Sequence, residues 1–254
     1  MKWLALCLTL LVAGEAPAYV RTTTKSSNPP CPGDAAKPLY WNVVTVPFLV
    51  DAAGSPDAPG EASFDAVRAS FQTWQSPPGT YLRFRDDGKK TDAPIGYNSS
   101  GQNFNVIKWL ETTWEYSAQA IAVTLTTFDC NTGQIYDADM VLNGKNFSFT
   151  TDPATQPRRI DIQNTVTHEA GHFIGFDHNP DAESTMYADA PAGETKKRTL
   201  TDDDILGLTT VYALGKEPRS GGCCAAAGSG GGGLAVLLAL AALLRVRRRR
   251  ARPR

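Results

Sequence analysis

The stretch from residue 168 to residue 178 reads HEAGHFIGFDH, and it decides how the rest of the chain is interpreted. Histidine occurs 3 times in 254 residues, and all three copies fall in this stretch, at spacings of four and six. On a helix, His168 and His172 lie one turn apart, so their imidazoles project from one face and can share a metal ion. Gly175 lets the chain leave that helix through a left-handed conformation and return with His178 as a third ligand.

The type and number of these ligands predict one catalytic zinc ion. Three protein ligands leave a fourth position open, whereas a structural zinc usually has four. Neutral imidazoles leave the positive charge of the metal undiminished, which suits polarisation of a carbonyl group. Glu169 lies beside the first ligand, and we expect it to act as the general base on the attacking water and then as the general acid for the leaving amine.

This stretch resembles the metzincin signature HExxHxxGxxH at every fixed position. Two later stretches are similar to the matrixin branch: STMY at 184–187 resembles its Met-turn, with Met186 below the metal, and LTDDDILGLTTVYALG at 200–215 resembles its terminal helix. By this resemblance Asp204 braces the Met-turn, although it can equally be the N-cap partner of its own helix. The resemblance extends over residues 38–215 and includes bacterial matrixin-like proteins.

Strand and helix patterns predict an α+β fold. Five strand-like runs predict one twisted mixed sheet. Three apolar helical stripes predict a backing helix that begins at Ser63, an active-site helix from near Ile160 to Gly175, and a C-terminal helix capped by Thr201. The resemblance implies that this is a zincin or metzincin catalytic domain, in which an extended protein or peptide substrate pairs with the sheet edge at Ala120–Phe128. The strand-like runs are Leu39–Val50, TYLRFRDD, FNVIKWL, AIAVTLTTF and QIYDADMVL.

The two ends of the chain differ from the body. The start, MKWLALCLTLLVAGEAPA, has the apolar run and the small residues of an export signal, with cleavage expected after Ala18. The end has an uncharged run from Cys223 to Leu244 and then RVRRRRARPR. This end resembles the C-terminal sorting tags of myxobacterial exported proteins, and the alternative is a retained membrane anchor. Both interpretations predict an exported protein, either at the cell surface (outer membrane) or secreted after C-terminal processing.

Length indicates one catalytic domain, which we expect to be a monomer. The body, residues 19–222, carries 17 basic and 25 acidic residues, a net charge of −8. This balance argues against nucleic-acid partners and leaves membrane contact to the C-terminal segment. The predicted divisions are a signal peptide at 1–18, an extended leader at 19–37, the catalytic domain at 38–215, a linker at 216–222 and a sorting or anchor segment at 223–254.

Two further residue pairs carry open alternatives. Cys31 and Cys130 are the cysteines of the body, and an exported protein would join them as a disulfide, unless Cys31 reaches the zinc as a cysteine switch. Asp137 and Asp139 fall where relatives of the resembled family place calcium-binding acids, although alternate acids on a strand also form a solvated face. No histidine remains for a second zinc site.

Two functions fit these features, and a third, a dedicated processing enzyme for one cell-surface partner, fits the C-terminal segment. The first is a zinc-dependent endopeptidase that hydrolyses peptide bonds of extracellular proteins. The second is a zinc-binding adhesion or recognition module at the cell surface that has no turnover. Glu169 favours the enzyme, because loss of the base is the simplest way to make such a site inert.

Overall fold

The computed structural model describes residues 19–26 and 30–218. The predicted signal peptide and the C-terminal segment 223–254 lie outside these residues, as does most of the predicted linker. Within the described ranges, no helix is long and apolar enough to cross a membrane. The strands are β1 (Tyr40–Trp41), β2 (Thr45–Asp51), β3 (Arg83–Lys90), β4 (Val106–Trp109), β5 (Ala122–Phe128), β6 (Gln134–Leu142), β7 (Phe149–Thr150) and β8 (Ile160–Asp161). The helices are α1 (Ala62–Gln75), α2 (Ile162–Phe173) and α3 (Asp202–Val211), with a short 3-10 turn at Lys196–Arg198.

The main sheet is mostly parallel and has six strands. Strand β6 pairs with β5 antiparallel on one side, and with β4 and the short β1 parallel on the other. Strand β2 lies between β4 and β3 and is parallel to both. The sheet is thus mixed, as predicted, and β5 is its antiparallel edge. A separate parallel pair joins β7 and β8.

The predicted count of five strands is wrong, because the run Leu39–Val50 contains two strands. Its first part pairs with β6, and its second part pairs with β4 and β3. The chain therefore moves one position across the sheet between them, and bends at residues 43 and 44 make that step. A strand cannot change neighbours without breaking its hydrogen-bond ladder, which is why one apolar run gives two short elements.

Helices α1 and α2 pack together against the sheet. The ring of Phe71 stacks on Phe48 of β2, with centroids 3.9 Å apart, and lies 5.4 Å from the ring of Phe173. Trp74 donates its indole N–H to the carbonyl of Thr167 at 2.7 Å, which joins the two helices. The predicted inward face of α1 is confirmed, since Phe64, Val67, Phe71 and Trp74 are all buried.

Two of the three α-helices begin with a side-chain N-cap. The predicted N-cap at Ser63 is wrong, because α1 begins at Ala62 after Glu61, which makes no side-chain cap. The hydroxyl of Ser63 is buried and accepts a weak bond from the amide of Ser55 instead. Helix α2 is capped by the side chain of Asp161, and the predicted capping box of α3, between Thr201 and Asp204, is present.

The described part of the predicted leader packs on the catalytic domain. Thr22 and Thr24 are buried, and isolated bridges join Arg21 to Phe176 and Thr23 to Pro38. A disulfide between Cys31 and Cys130 ties the leader to the turn between β5 and β6. Cys31 is therefore not a free thiol in this structure, and the cysteine-switch alternative does not describe it.

Candidate metal centre

Helix α2 carries His168, Glu169 and His172, and all three side chains are buried. The helix ends at Phe173, and Gly175 follows with φ of +91°. A Cβ at Gly175 would lie 2.3 Å from the carbonyl oxygen of Leu39, so glycine is required both by the left-handed backbone and by this close approach. The chain reverses here and brings His178 back beside the helix.

The structure brings the three histidines together. The Nε2 atoms of His168 and His172 are 3.2 Å apart, and candidate ligand atoms of all three rings lie within 4.8 Å of one another. The ring centroids of His178 lie 5.3 Å from His168 and 4.8 Å from His172. Two nitrogens on a tetrahedral zinc, each at about 2.0–2.1 Å, are roughly 3.3 Å apart. The observed spacing matches that value.

The outer nitrogens of two rings are held by main-chain carbonyls. His168 donates from Nδ1 to Thr185 at 2.7 Å, and His172 donates from Nδ1 to Phe176 at 2.8 Å. These bonds place the proton on Nδ1 and leave each Nε2 as a bare acceptor. Two bare acceptors at 3.2 Å repel each other unless a cation lies between them. The residues therefore fit a zinc ion.

Burial keeps these imidazoles in the form that binds metal. Burial, and then the charge of His178, lower the pKa of His172 to about 3. Burial, followed by the charges of His172 and His178, holds the pKa of His168 well below its usual value. Both rings are therefore neutral near pH 7, and a neutral imidazole is the ligand that zinc requires.

Glu169 follows His168 on α2, and its carboxylate faces the edge strand β5. Its Oε2 accepts a hydrogen bond of 2.7 Å from the hydroxyl of Thr124 in β5, and its Oε1 has no hydrogen-bond partner among the described residues. Burial raises the pKa of Glu169 to about 8, and the Thr124 bond offsets part of that rise. A cation on the neighbouring imidazoles lowers the pKa again and favours the carboxylate.

Thr124 is a site residue that sequence reasoning missed. It lies in the predicted edge strand, at a position whose side chain faces α2, whereas its neighbours Val123 and Leu125 belong to a separate apolar cluster. The available signal was the alternation of that strand, which places every second side chain on the face of α2. A buried threonine on that face indicates a polar partner across it.

Met186 is buried below the histidines, in the turn where the resemblance places it. Asp204 holds this turn from α3: its carboxylate accepts from the hydroxyl of Ser184 at 2.9 Å and from the amide of Thr185 at 3.0 Å. The same carboxylate accepts from Thr201 in the capping box, so both roles considered for Asp204 occur together. Because Thr185 in turn accepts from His168, Asp204 is linked to the first ligand through one residue.

The loop after the Met-turn is fixed by a lysine that the sequence patterns did not single out. Lys197 is fully buried and donates to the carbonyl of Asp189 at 2.8 Å and to the carboxylate of Glu194 at 2.5 Å. These bonds hold the loop at 188–193 that follows the Met-turn.

Asp137 and Asp139 lie apart from the histidine cluster, on β6, and both are buried, so the solvated-face alternative is wrong. Asp139 accepts from the amides of Val106 at 2.8 Å and Gly96 at 2.6 Å. Among the described residues, Oδ1 of Asp137 has no hydrogen-bond partner. Burial and mutual repulsion raise the pKa of Asp137, and burial raises that of Asp139.

Three imidazoles from a helix and its following turn, with a buried glutamate beside them and a methionine below, define a metallopeptidase centre of the zincin type. The matrixin family matches residues 40–213, and the chain belongs to this family, whose members use zinc.

Shorter stretches are similar to named metalloendoproteinases. The chain is 33% identical over 86 residues to metalloendoproteinase 2-MMP of Arabidopsis thaliana, covering 34% of this chain and 21% of that protein. It is 34% identical over 81 residues to metalloendoproteinase 1 of Glycine max (31% and 25%), and 36% identical over 53 residues to neutrophil collagenase of Homo sapiens (21% and 11%). The chain thus matches a quarter or less of the length of these relatives.

Proposed function

We propose that this protein is a zinc-dependent endopeptidase that uses Glu169 as its general base. The observation that carries the proposal is the burial of Glu169 next to three histidines whose candidate ligand atoms lie within 4.8 Å of one another. His168, His172 and His178 would hold the zinc ion, which would supply a Lewis acid for the substrate carbonyl and for a water molecule, whose pKa it would lower to about 7. Glu169 then accepts a proton from the attacking water and passes it to the leaving amine.

The substrate in this proposal is an extended segment of an extracellular protein. Strand β5 supports this assignment, because it is a sheet edge that pairs with β6 and carries Thr124 into contact with Glu169. A peptide that adds to this edge by main-chain hydrogen bonds brings its carbonyl groups to the histidines. We further propose that the protein acts as an exported monomer of the bacterial matrixin-like kind, at the cell surface or secreted, with its C-terminal segment serving as a sorting tag or anchor.

A second metal ion belongs to this proposal. Asp137 and Asp139 offer carboxylate oxygens in a buried position, and the hydroxyl of Thr127, the cross-strand neighbour of Asp137, is also buried without a partner among the described residues. Oxygen donors of this kind suit Ca²⁺ and do not suit a second zinc. We propose that calcium binds here and stabilises the sheet, without a part in the chemical step.

The test compares Glu169→Gln with the matched surface change Glu115→Gln. We expect Glu169→Gln to bind one equivalent of zinc and to lose roughly 10²–10⁴-fold in the rate of cleavage of a mixed peptide library. Glu115 is exposed, so Glu115→Gln should cleave like the native protein. Cleavage by zinc-loaded Glu169→Gln within tenfold of native would remove the glutamate from the mechanism. No cleavage by the folded, zinc-loaded native protein would favour the adhesion module.

A further inference from the structure

The turn after α2 controls two of the three metal ligands. His178 follows Phe176 by two residues, and the carbonyl of Phe176 accepts the bond from Nδ1 of His172. The amide of Gly175 is bonded to the carbonyl of His172 at 2.9 Å, which ends the helix. The ring of His172 and the path to His178 therefore both depend on where the backbone of residues 175–177 lies.

The segment Tyr19–Thr24, which we call the strap, binds this backbone directly. Each of the three residues 175, 176 and 177 is bonded to the strap through a main-chain group. The carbonyl of Gly175 accepts from the Thr22 amide and from Nε of Arg21, both at 3.0 Å. The carbonyl of Phe176 accepts from the Thr22 hydroxyl at 2.9 Å. The amide of Asp177 donates to the carbonyl of Val20 at 2.9 Å.

One carbonyl connects the strap with a metal ligand. The oxygen of Phe176 accepts from the hydroxyl of Thr22 at 2.9 Å and from Nδ1 of His172 at 2.8 Å. A carbonyl has two lone pairs, so both bonds can form at once and together they fix its direction. Thr22 is 2% exposed, so bulk water cannot take the place of its hydroxyl. The plane of the His172 ring is thus set partly by Thr22.

Aromatic packing holds the same turn. The ring of Phe176 stacks on Trp74 of α1, with centroids 5.6 Å apart, and meets the edge of Tyr19 at 6.1 Å. The guanidinium of Arg21 lies 5.5 Å from the centre of that ring, and it also donates to the carbonyl of Leu39. The turn is therefore packed against α1 and against the strap.

The far end of the strap is anchored. The amide of Thr24 donates to Lys37 at 2.9 Å, and the amide of Cys31 donates to Thr24 at 3.1 Å. Cys31 is covalently bound to Cys130 in the turn between β5 and β6. The strap cannot leave the turn without breaking the bonds that hold it there, and the disulfide restrains its far end.

We propose that the strap is a positioning device for the metal centre, which holds residues 175–177 where His172 and His178 receive zinc. Loss of a group that orients a metal ligand typically lowers metal affinity 10–100-fold. The inference rests on the zinc site of the proposed function, but not on turnover. The proposal predicts the sign of the effect on zinc binding. Removing a segment that covers the zinc would expose the metal, whereas damage to the strap should weaken zinc binding.

The experiment uses the full chain in the Glu169→Gln background, so that self-cleavage cannot interfere. Thr22→Val keeps the shape of the side chain and removes its hydroxyl. We expect Thr22→Val to bind zinc 10–100-fold more weakly in competition with a chromogenic chelator. Thr22→Ser restores the hydroxyl and should recover most of that affinity. Thr23→Val is the matched control, because the hydroxyl of Thr23 contacts Ser26 and Lys25 and not the turn.

Two further readouts separate positioning from simple stability. Cobalt substituted for zinc should give an altered visible absorption spectrum in Thr22→Val and a native one in Thr23→Val. If Thr22→Val melts lower but binds zinc as tightly as Thr23→Val, the strap is only structural and the proposal is wrong. If Thr22→Val does not fold, Arg21→Lys replaces it, since that change keeps the charge and removes the Nε bond to Gly175; native zinc affinity there would again overturn the proposal. A native protein that binds zinc but cleaves nothing would defeat the proposed function alone.

Discussion

Two buried polar clusters lie on different elements of this protein, and burial has opposite consequences for them. The histidine cluster on α2 and its following turn consists of bases, and burial lowers the pKa of His168 and His172. The aspartate pair on β6 consists of acids, and burial raises the pKa of Asp137 and Asp139. In both clusters the neutral form is favoured, because a charge is poorly solvated inside the protein.

The neutral forms of the two clusters differ in whether they can bind a metal ion. A neutral imidazole is ready to bind zinc, and the carbonyls of Thr185 and Phe176 already fix its proton on Nδ1. A neutral carboxyl group must first lose its proton before calcium can bind. The histidine centre is therefore prepared for its metal at neutral pH, whereas the aspartate pair, as the proposed calcium site, must first be deprotonated.

The largest expected effect is on zinc affinity, compared between two variants that each change one residue of one cluster. His172→Ala removes a direct ligand, so zinc affinity should fall by more than the roughly 100-fold upper range for an outer partner. Asp137→Asn should leave zinc affinity unchanged. Isothermal titration, or chelator competition, measures both. Equal losses in the two variants would mean that the clusters are coupled and that the comparison is wrong.

The next expected effect is the contribution of the disulfide between Cys31 and Cys130 to the free energy of unfolding. It joins residues 99 apart in the chain, and in the chain-entropy picture a loop of that size contributes about 4.7 kcal/mol. Replacing both Cys31 and Cys130 with serine should lower the free energy of unfolding by up to that amount, as measured by denaturant titration. The serine variant should not respond to a reducing agent, whereas the native protein should. A change below about 1 kcal/mol would show that the covalent link contributes little.

A smaller effect concerns the hydrogen bond from Thr124 to Glu169. Thr124→Val should lower kcat about tenfold while leaving zinc affinity and KM near their native values, since the bond orients the base and does not touch the metal. Thr124→Ser should recover most of the rate. Thr126→Val, two residues along the same strand, is the control. If the rate falls together with zinc affinity, Thr124 supports the fold and not the base.

The smallest expected effect is on thermal stability and depends on pH. In the calcium-free protein, the unfolded carboxyls of Asp137 and Asp139 ionise at lower pH than the folded ones, so the folded state binds more protons. Stability should therefore fall as the pH rises from the ordinary carboxyl range toward neutral. Calcium binds the ionised form, so at neutral pH a saturating concentration should raise the melting temperature of the zinc-loaded protein by a few degrees.

Asp137→Asn provides the control for this measurement. It removes one of the two negative charges, so both the pH slope and the calcium response should shrink. A calcium response of the same size in Asp137→Asn and in the native protein would place the calcium elsewhere.

The parts of the structure that sequence predicted are those set by local spacing. The histidines follow from helical periodicity and one glycine, and the capping box at Thr201 follows from residues three apart. The mixed sheet and three helices follow from apolar patterns. Ser63 shows the limit of local rules: a serine before an apolar stripe looks like an N-cap, but the helix begins one residue earlier and buries it.

The parts that could not be predicted depend on contacts between distant segments. Thr124 reaches Glu169 across 45 residues, and Thr22 reaches Phe176 across 154. Asp139 looks like a residue of a solvated strand face until Gly96 and Val106 are seen to bond its carboxylate. Only the arrangement of the sheet brings these groups together, and no spacing along the chain records it.

Gly171, within the signature stretch, sets the depth of the metal centre. A methyl group at this position would lie 2.1 Å from the sulfur of Met186 and 2.9 Å from the ring of Trp74, so the helix can approach its floor only because that atom is missing. Gly171→Ala adds one methyl group between α2 and the Met-turn, so we expect the two to move apart while the three histidine ligands stay the same. The spacing between α2 and the Met-turn therefore depends on a residue outside the set of three histidines and Glu169.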